Sequence, residues 1–153
     1  MSQQNKARRI CAGLFLLYGL VMVYLLFLQR TPSWAQYWDV VSQSYNLRPF
    51  QTVLEMLSLL HSRPALAWFA AINLIGNIVM FVPLGLLPAI WQRQQKFGWY
   101  VGTVAVAILL IELLQLFTTL GSADIDDWLF NMLGALTGFG IWKTVTVICR
   151  LNQ

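Results

Sequence analysis

Glu112 occupies the least expected position of any charged residue in this chain. It is the sole charge in the apolar run Phe97 to Thr119, and a carboxylate at membrane depth costs about 2–3 kcal/mol even on lenient insertion scales. Such a group faces protein or water, where it can hold a ligand, an ion or a proton. Gln115 at i+3 and Thr119 at i+7 share its helical face. Asn73 and Asn77 repeat that pattern at i, i+4 in a second apolar run, and Asn131 lies one turn after Asp127 in a third. Counted inward from the ends of their runs at 1.5 Å per residue, Glu112 and Asn73 lie about 12 Å deep and Asn77 about 18 Å. Three polar stripes at comparable depth could line one cavity open to the exterior. They could equally tie the helices together, since Asn and Gln bridge membrane helices for about 0.6–2 kcal/mol each.

Asp124, Asp126 and Asp127 crowd one short turn, with Asn131 beyond them. Their oxygens suit a hard cation such as Mg²⁺ or Ca²⁺, with a lipid phosphate completing the shell. As a structural feature alone, the same turn caps the helix that follows it, because carboxylates favour the positive N-terminal end. Arg30, Arg48 and Arg63 belong to the loop expected on the same side, where one could pair with these acids or an anionic head group. Arg48, just before Pro49, is the preferred candidate. Ser58 and His61 lie one turn apart near Glu55, a pairing read as incidental, and neither a phosphate-cradling glycine loop nor zinc-ligand spacing is present. No catalytic set is assigned. In an enzyme, Glu112 would be the base and Asp127, with its two acidic neighbours, a metal ligand.

The elements that must position these residues follow from composition. Of 153 residues, 58% are hydrophobic and 10% charged, against about 25% charged in a soluble domain. Four apolar runs at about 10–28, 65–91, 97–119 and 128–149 have the length a helix needs to cross hydrocarbon. The expected fold is an all-α integral membrane bundle of four transmembrane helices in a single domain, 1–153. The first run exceeds the apolar core of a signal peptide, so a retained helix is expected over cleavage after Ala35. Pro83 and Pro88 imply a kinked second helix. Within the loop 29–64, Pro49 can open a short amphipathic helix whose apolar face is Phe50, Val53, Leu54, Leu57 and Leu60, lying in the membrane interface near Trp34, Tyr37 and Trp38. Trp99, Tyr100, Trp128 and Trp142 fall near expected interfaces.

Basic residues fix the orientation. With both termini inside, seven Lys/Arg face the cytoplasm and three, Arg30, Arg48 and Arg63, lie outside, the bias that membrane insertion favours. The net charge of +4 therefore reports topology, and no clustered basic face for nucleic acid exists. Cys11 and Cys149 sit in or at the end of apolar runs and read as buried thiols. Gly134 and Gly138 form a GxxxG pair, and Gly76 and Gly85 offer further close approaches.

Four blocks together carry a resemblance: YNLRPFQTV at 45–53, NLIGNIVMFVPLG at 73–85, IELLQ at 111–115 and DIDDWLFNMLGALTG at 124–138. In that order they resemble the VanZ family of small bacterial membrane proteins. The matching positions are Asn46, Pro49, Phe50, Gly76, Asn77, Phe81, Pro83 and Gly85 in the first two blocks. In the last two they are Glu112, Gln115, Asp124, Asp126, Asp127, Asn131, Gly134 and Gly138. The resemblance implies a multi-pass protein of the bacterial plasma membrane, linked to teicoplanin-type glycopeptide resistance. One position departs: many members carry an arginine just before the acidic turn, where this chain has Gly121 or Ser122. A cation there would have to come from Arg48 or another loop arginine.

The leading functional expectation is a binding or accessory protein of the cell envelope, whose outward polar cavity engages a lipid-linked wall precursor or a lipoglycopeptide. Its ligand contacts would be Asn73, Asn77, Glu112, Gln115, Asn131, Arg48 and the Asp124/Asp126/Asp127 turn. A metal-assisted enzyme acting on lipid-linked phosphate or sugar and a purely structural membrane protein are the rival readings.

Overall fold

The computed structural model describes residues 3–28, 31–32, 34–91 and 96–151, apart from the side chains of 3–8, 87–91 and 149–151. Arg30, Arg93 and Gln94 lie outside the described residues, as does the side chain of Cys149. The chain runs α1 (Gln3–Val23), a π-helical turn (Tyr24–Leu28), α2 (Tyr37–Gln43), β1 (Tyr45–Asn46), α3 (Gln51–Ser62), α4 (Pro64–Trp91), α5 (Phe97–Phe117), β2 (Ala123–Asp124) and α6 (Ile125–Leu151). The two strands are two residues each and pair in parallel, Tyr45 with Ala123 and Asn46 with Asp124.

Three helices are long and apolar enough to cross a membrane: Arg9–Leu28, Pro64–Leu86 and Phe97–Phe117. Their outward side chains, among them Leu16, Leu20, Phe69, Ile75, Val79 and Leu110, are exposed, an extent of apolar surface that suits lipid. The fourth expected span lies within α6, which has the length, at 27 residues. Asn131, the Thr and Gly positions and Lys143 dilute its apolar character.

α6 begins three residues before Trp128, the start read from the apolar run. The cause is a cap: the Asp124 carboxylate accepts the Asp126 N–H at 2.8 Å, and Asp126 and Asp127 occupy the first turn, where the helix dipole favours negative charge. α5 stops at Phe117, two residues before the expected end. Thr119 there adopts φ 55°, and the N–H groups of Leu120 and Thr119 return to the carbonyls of Gln115 and Leu116 at 3.0 Å each. This is the Schellman arrangement, here with a threonine where glycine is usual.

α4 and α6 form the closest helix pair, and glycines make it so. A β-carbon on Gly134 would lie 2.1 Å from the Ile78 carbonyl oxygen, one on Gly138 2.1 Å from that of Val82, and one on Gly85 1.9 Å from that of Ala135. Gly76 has open space around it, so the close approach expected there is corrected: the α4 contact runs along Ile78, Val82 and Gly85, on another face. The core between α4, α5 and α6 holds Phe81, Val104, Ile108, Ala135 and Phe139. Tyr100, expected at an interface, is buried in this core; it stacks on Phe139 at 4.4 Å and its hydroxyl donates to the Ala135 carbonyl at 2.9 Å. α1 joins through Tyr18, whose hydroxyl donates to Met80 O at 3.0 Å.

The amphipathic helix is α3, starting two residues after Pro49. Val53 is half-buried, whereas Phe50, Leu54, Leu57 and Leu60 are exposed. Most of the expected apolar face thus points away from the protein.

Candidate functional site

The polar stripes meet where α4, α5, α6 and the π-helical turn adjoin. Glu112, Asn131, Gln115 and Asn77 are each at least nine-tenths buried. Asn131 Nδ2 donates to Glu112 Oε1 at 3.0 Å, and Asn77 Nδ2 donates to Asp127 Oδ1. Gln115 Nε2 reaches the Leu26 carbonyl at 3.4 Å. Leu26 lies in the π-helical turn Tyr24–Leu28. Two buried oxygens, Glu112 Oε2 and Asn131 Oδ1, have no hydrogen-bond partner.

These groups wall a cavity of about 460 Å³. Asn73, exposed where Asn77 is buried, reaches it from α4, and Ser122 and Asp127 close it from the acidic turn. Leu25, Leu26 and Met80 complete the wall. Among its described lining residues none is Lys, Arg or His. A second cavity, about 370 Å³ and nearly all apolar, lies against Leu109, Val106, Ala105, Leu113 and Trp128, with Leu47, Ala123, Asp124 and Ile125 at its rim. Glu112 lines both cavities.

The acidic turn divides its three carboxylates among different partners. Asp126 is fully buried, and its two oxygens accept the N–H groups of Phe50 and Thr52, the latter at 2.9 Å. It therefore caps the N-terminus of α3 from another helix and holds Phe50 at φ 64°, a conformation costly for a bulky L-residue. Asp124 accepts Thr52 Oγ1 at 2.7 Å and Asn46 Nδ2 at 3.3 Å in addition to capping α6. Only Asp127 turns into the polar cavity. Among the described residues no three His, Cys, Asp or Glu side chains gather as a metal site would require. Asp124 and Asp126 thus serve as structural caps, and Asp127 forms part of the cavity wall.

Arg48 does not reach the Glu112 cavity. It is exposed beside Asn46, Glu55 and Asp124 in a separate depression, and its N–H donates to Asn46 Oδ1 at 3.0 Å. Ser58 donates to the Glu55 carbonyl at 2.7 Å rather than to His61. Cys11 is a free, half-buried thiol. Sequence reasoning missed Thr52, which meets both Asp124 and Asp126, and the Leu26 carbonyl. A Thr three residues after Pro49 is the one visible signal for the first, and a backbone acceptor leaves none for the second.

The VanZ/LLP1 family model matches residues 15–148, which include every contact described above. A curated relative, Protein VanZ of Enterococcus faecium, is 23% identical over 130 residues, covering 85% of this chain and 71% of that protein. No solved structure matches the chain. The paired positions Asn46 with Asp124, Phe50 with Asp126, Asn77 with Asp127 and Glu112 with Asn131 join separate sequence blocks into one assembly, and the chain, a helical membrane protein, belongs to the VanZ/LLP1 family.

Proposed function

We propose that this protein is a multi-pass component of a bacterial plasma membrane that binds an amphiphilic or lipid-linked ligand in the Glu112 cavity and thereby influences glycopeptide susceptibility. The supporting observation is the cavity itself: buried Glu112, Asn77, Gln115 and Asn131 surround about 460 Å³ of space inside helices otherwise built of apolar residues. Interhelical bonding alone would fill such space, because unpaired polar groups in hydrocarbon cost several kcal/mol. Membership of the VanZ/LLP1 family supports the link to glycopeptides. In this reading α6 is the fourth span, both termini are cytoplasmic, and the acidic turn, α2 and α3 face outward with the Leu54/Leu57/Leu60 edge in the lipid interface.

The test is expression in a susceptible bacterium, comparing wild type with Glu112→Gln at equal membrane abundance. A rise in the teicoplanin concentration needed to stop growth with wild type, lost in Glu112→Gln, is the expected result. An equal effect of both proteins would reject a role for the cavity. The metal-assisted alternative lacks comparable support, since both oxygens of Asp126 and both of Asp124 are taken by protein donors.

A further inference from the structure

The cavity's unmatched buried groups are acceptors. Each of its three buried amides already commits one N–H to a protein acceptor: Asn131 to Glu112, Asn77 to Asp127 and Gln115 to the Leu26 carbonyl. Glu112 Oε2 and Asn131 Oδ1, by contrast, are buried with no partner. A buried acceptor left unmatched costs about 1–3 kcal/mol, more if charged. A ligand that satisfies these two oxygens must therefore donate to them, and 460 Å³ accommodates a head group rather than a single bare ion. Beyond Glu112 lies the apolar groove of about 370 Å³ along Leu109, Val106 and Trp128. Leu109 and Val106 are half-exposed on the outer face of α5, so the groove is reached from the lipid side.

We infer that the site takes a single-tailed amphiphile with an N–H or O–H donor head, the head against Glu112 Oε2 and Asn131 Oδ1 and the hydrocarbon tail along Leu109 and Trp128. This rests on the ligand-binding reading above and adds the chemistry of the ligand. A primary ammonium and a sugar hydroxyl supply the same donor chemistry from different sources. A quaternary ammonium or an amine oxide, which offer no N–H or O–H, match the tail but not the head.

Bromine quenches tryptophan on contact, and Trp128 lines the groove. Wild-type protein in lipid nanodiscs, and Trp128→Phe as the correction for the other tryptophans, are titrated with three probes: 12-bromododecylammonium, 12-bromododecyl glucoside and 12-bromododecyltrimethylammonium. Quenching assigned to Trp128 is expected at roughly tenfold lower concentration for the ammonium, the glucoside or both than for the trimethylammonium probe. Which of the two leads identifies the donor source. In Glu112→Gln, where an amide N–H replaces the unmatched oxygen, that preference should fall to about twofold or less. Equal Trp128 quenching by all three probes in wild type overturns the donor requirement while leaving amphiphile binding intact. No Trp128-specific quenching by any probe overturns both.

Discussion

Gly134 lies so close to Ile78 that a β-carbon added to it would stand 2.1 Å from the Ile78 carbonyl oxygen. The contact is backbone against backbone, so no side-chain rotation can relieve it. Gly134→Leu and Gly138→Leu must therefore force α4 and α6 apart, at about 1–3 kcal/mol or more. Monodisperse yield after detergent extraction should fall sharply for both. Leu133→Ile, at an exposed position, should match wild type. Gly76→Ala, with nothing within 4 Å of the new atom, should raise thermal stability by up to about 1 kcal/mol through helix propensity.

The carboxylate of Asp126 supports α3 through two backbone N–H groups. Hydrogen bonds to a charged partner contribute about 1.5–3 kcal/mol each, so Asp126→Ala should lower stability by about 3 kcal/mol and expose the segment 44–50 to protease. Asp126→Asn, which keeps one acceptor oxygen, should fall between. Glu55→Ala, at an exposed site whose carboxylate accepts from Gln51, should change the thermal midpoint little.

A double-mutant cycle on Glu112 and Asn131 separates adhesion from function. Asn131→Leu strands a buried carboxyl oxygen and should destabilise by about 2 kcal/mol or more, whereas Glu112→Leu with Asn131→Leu together removes both partners and should be less harmful than the sum. If the pair only joins helices, the stable double variant keeps its effect on glycopeptide susceptibility. If it binds ligand, the double variant is folded and inert, which is the outcome expected.

The Ala123 N–H donates to the Ser44 carbonyl at 2.9 Å, so residues 44 and 122 must emerge on one side of the membrane. In a background carrying Cys11→Ala and Cys149→Ala, Ser44→Cys and Ser122→Cys should both react with an impermeant thiol reagent in intact cells. Gln94→Cys should react only after the membrane is opened. Reaction of Gln94→Cys alone would invert the orientation.

The cavity residues were legible in the sequence because polar groups at membrane depth are scarce and energetically conspicuous; Glu112, Asn77 and Asn131 stand out against Leu and Ile. The acidic turn was not. Asp126 reads as one of three carboxylates that could hold a cation or cap the following helix, and its true partners are backbone N–H groups of another segment, which every residue but proline possesses and no sequence marks. Gly76 and Gly85 are the same residue nine positions apart on one helix, yet only Gly85 meets α6, because helical register decides which face a glycine serves. Apolar runs located the long helices well. Their ends moved by two or three residues wherever a cap, such as Asp124, outweighed hydropathy. The positive φ of Phe50 and Thr119 had no residue-type signal at all.

The bond from Phe50 to Asp126 spans 76 positions of sequence, and this imposes an order on biosynthesis. When the ribosome has delivered the amphipathic segment and the next two helices, the N-terminus of α3 still lacks its carboxylate, and the strand at Tyr45–Asn46 still lacks its neighbour. Both arrive only with residues 123–126, at the head of the last helix. The segment 44–52 therefore completes its hydrogen bonding only after α4 and α5 have been made, and a nascent chain halted before Ile125 would present it unfastened to whatever quality-control protease surveys that face.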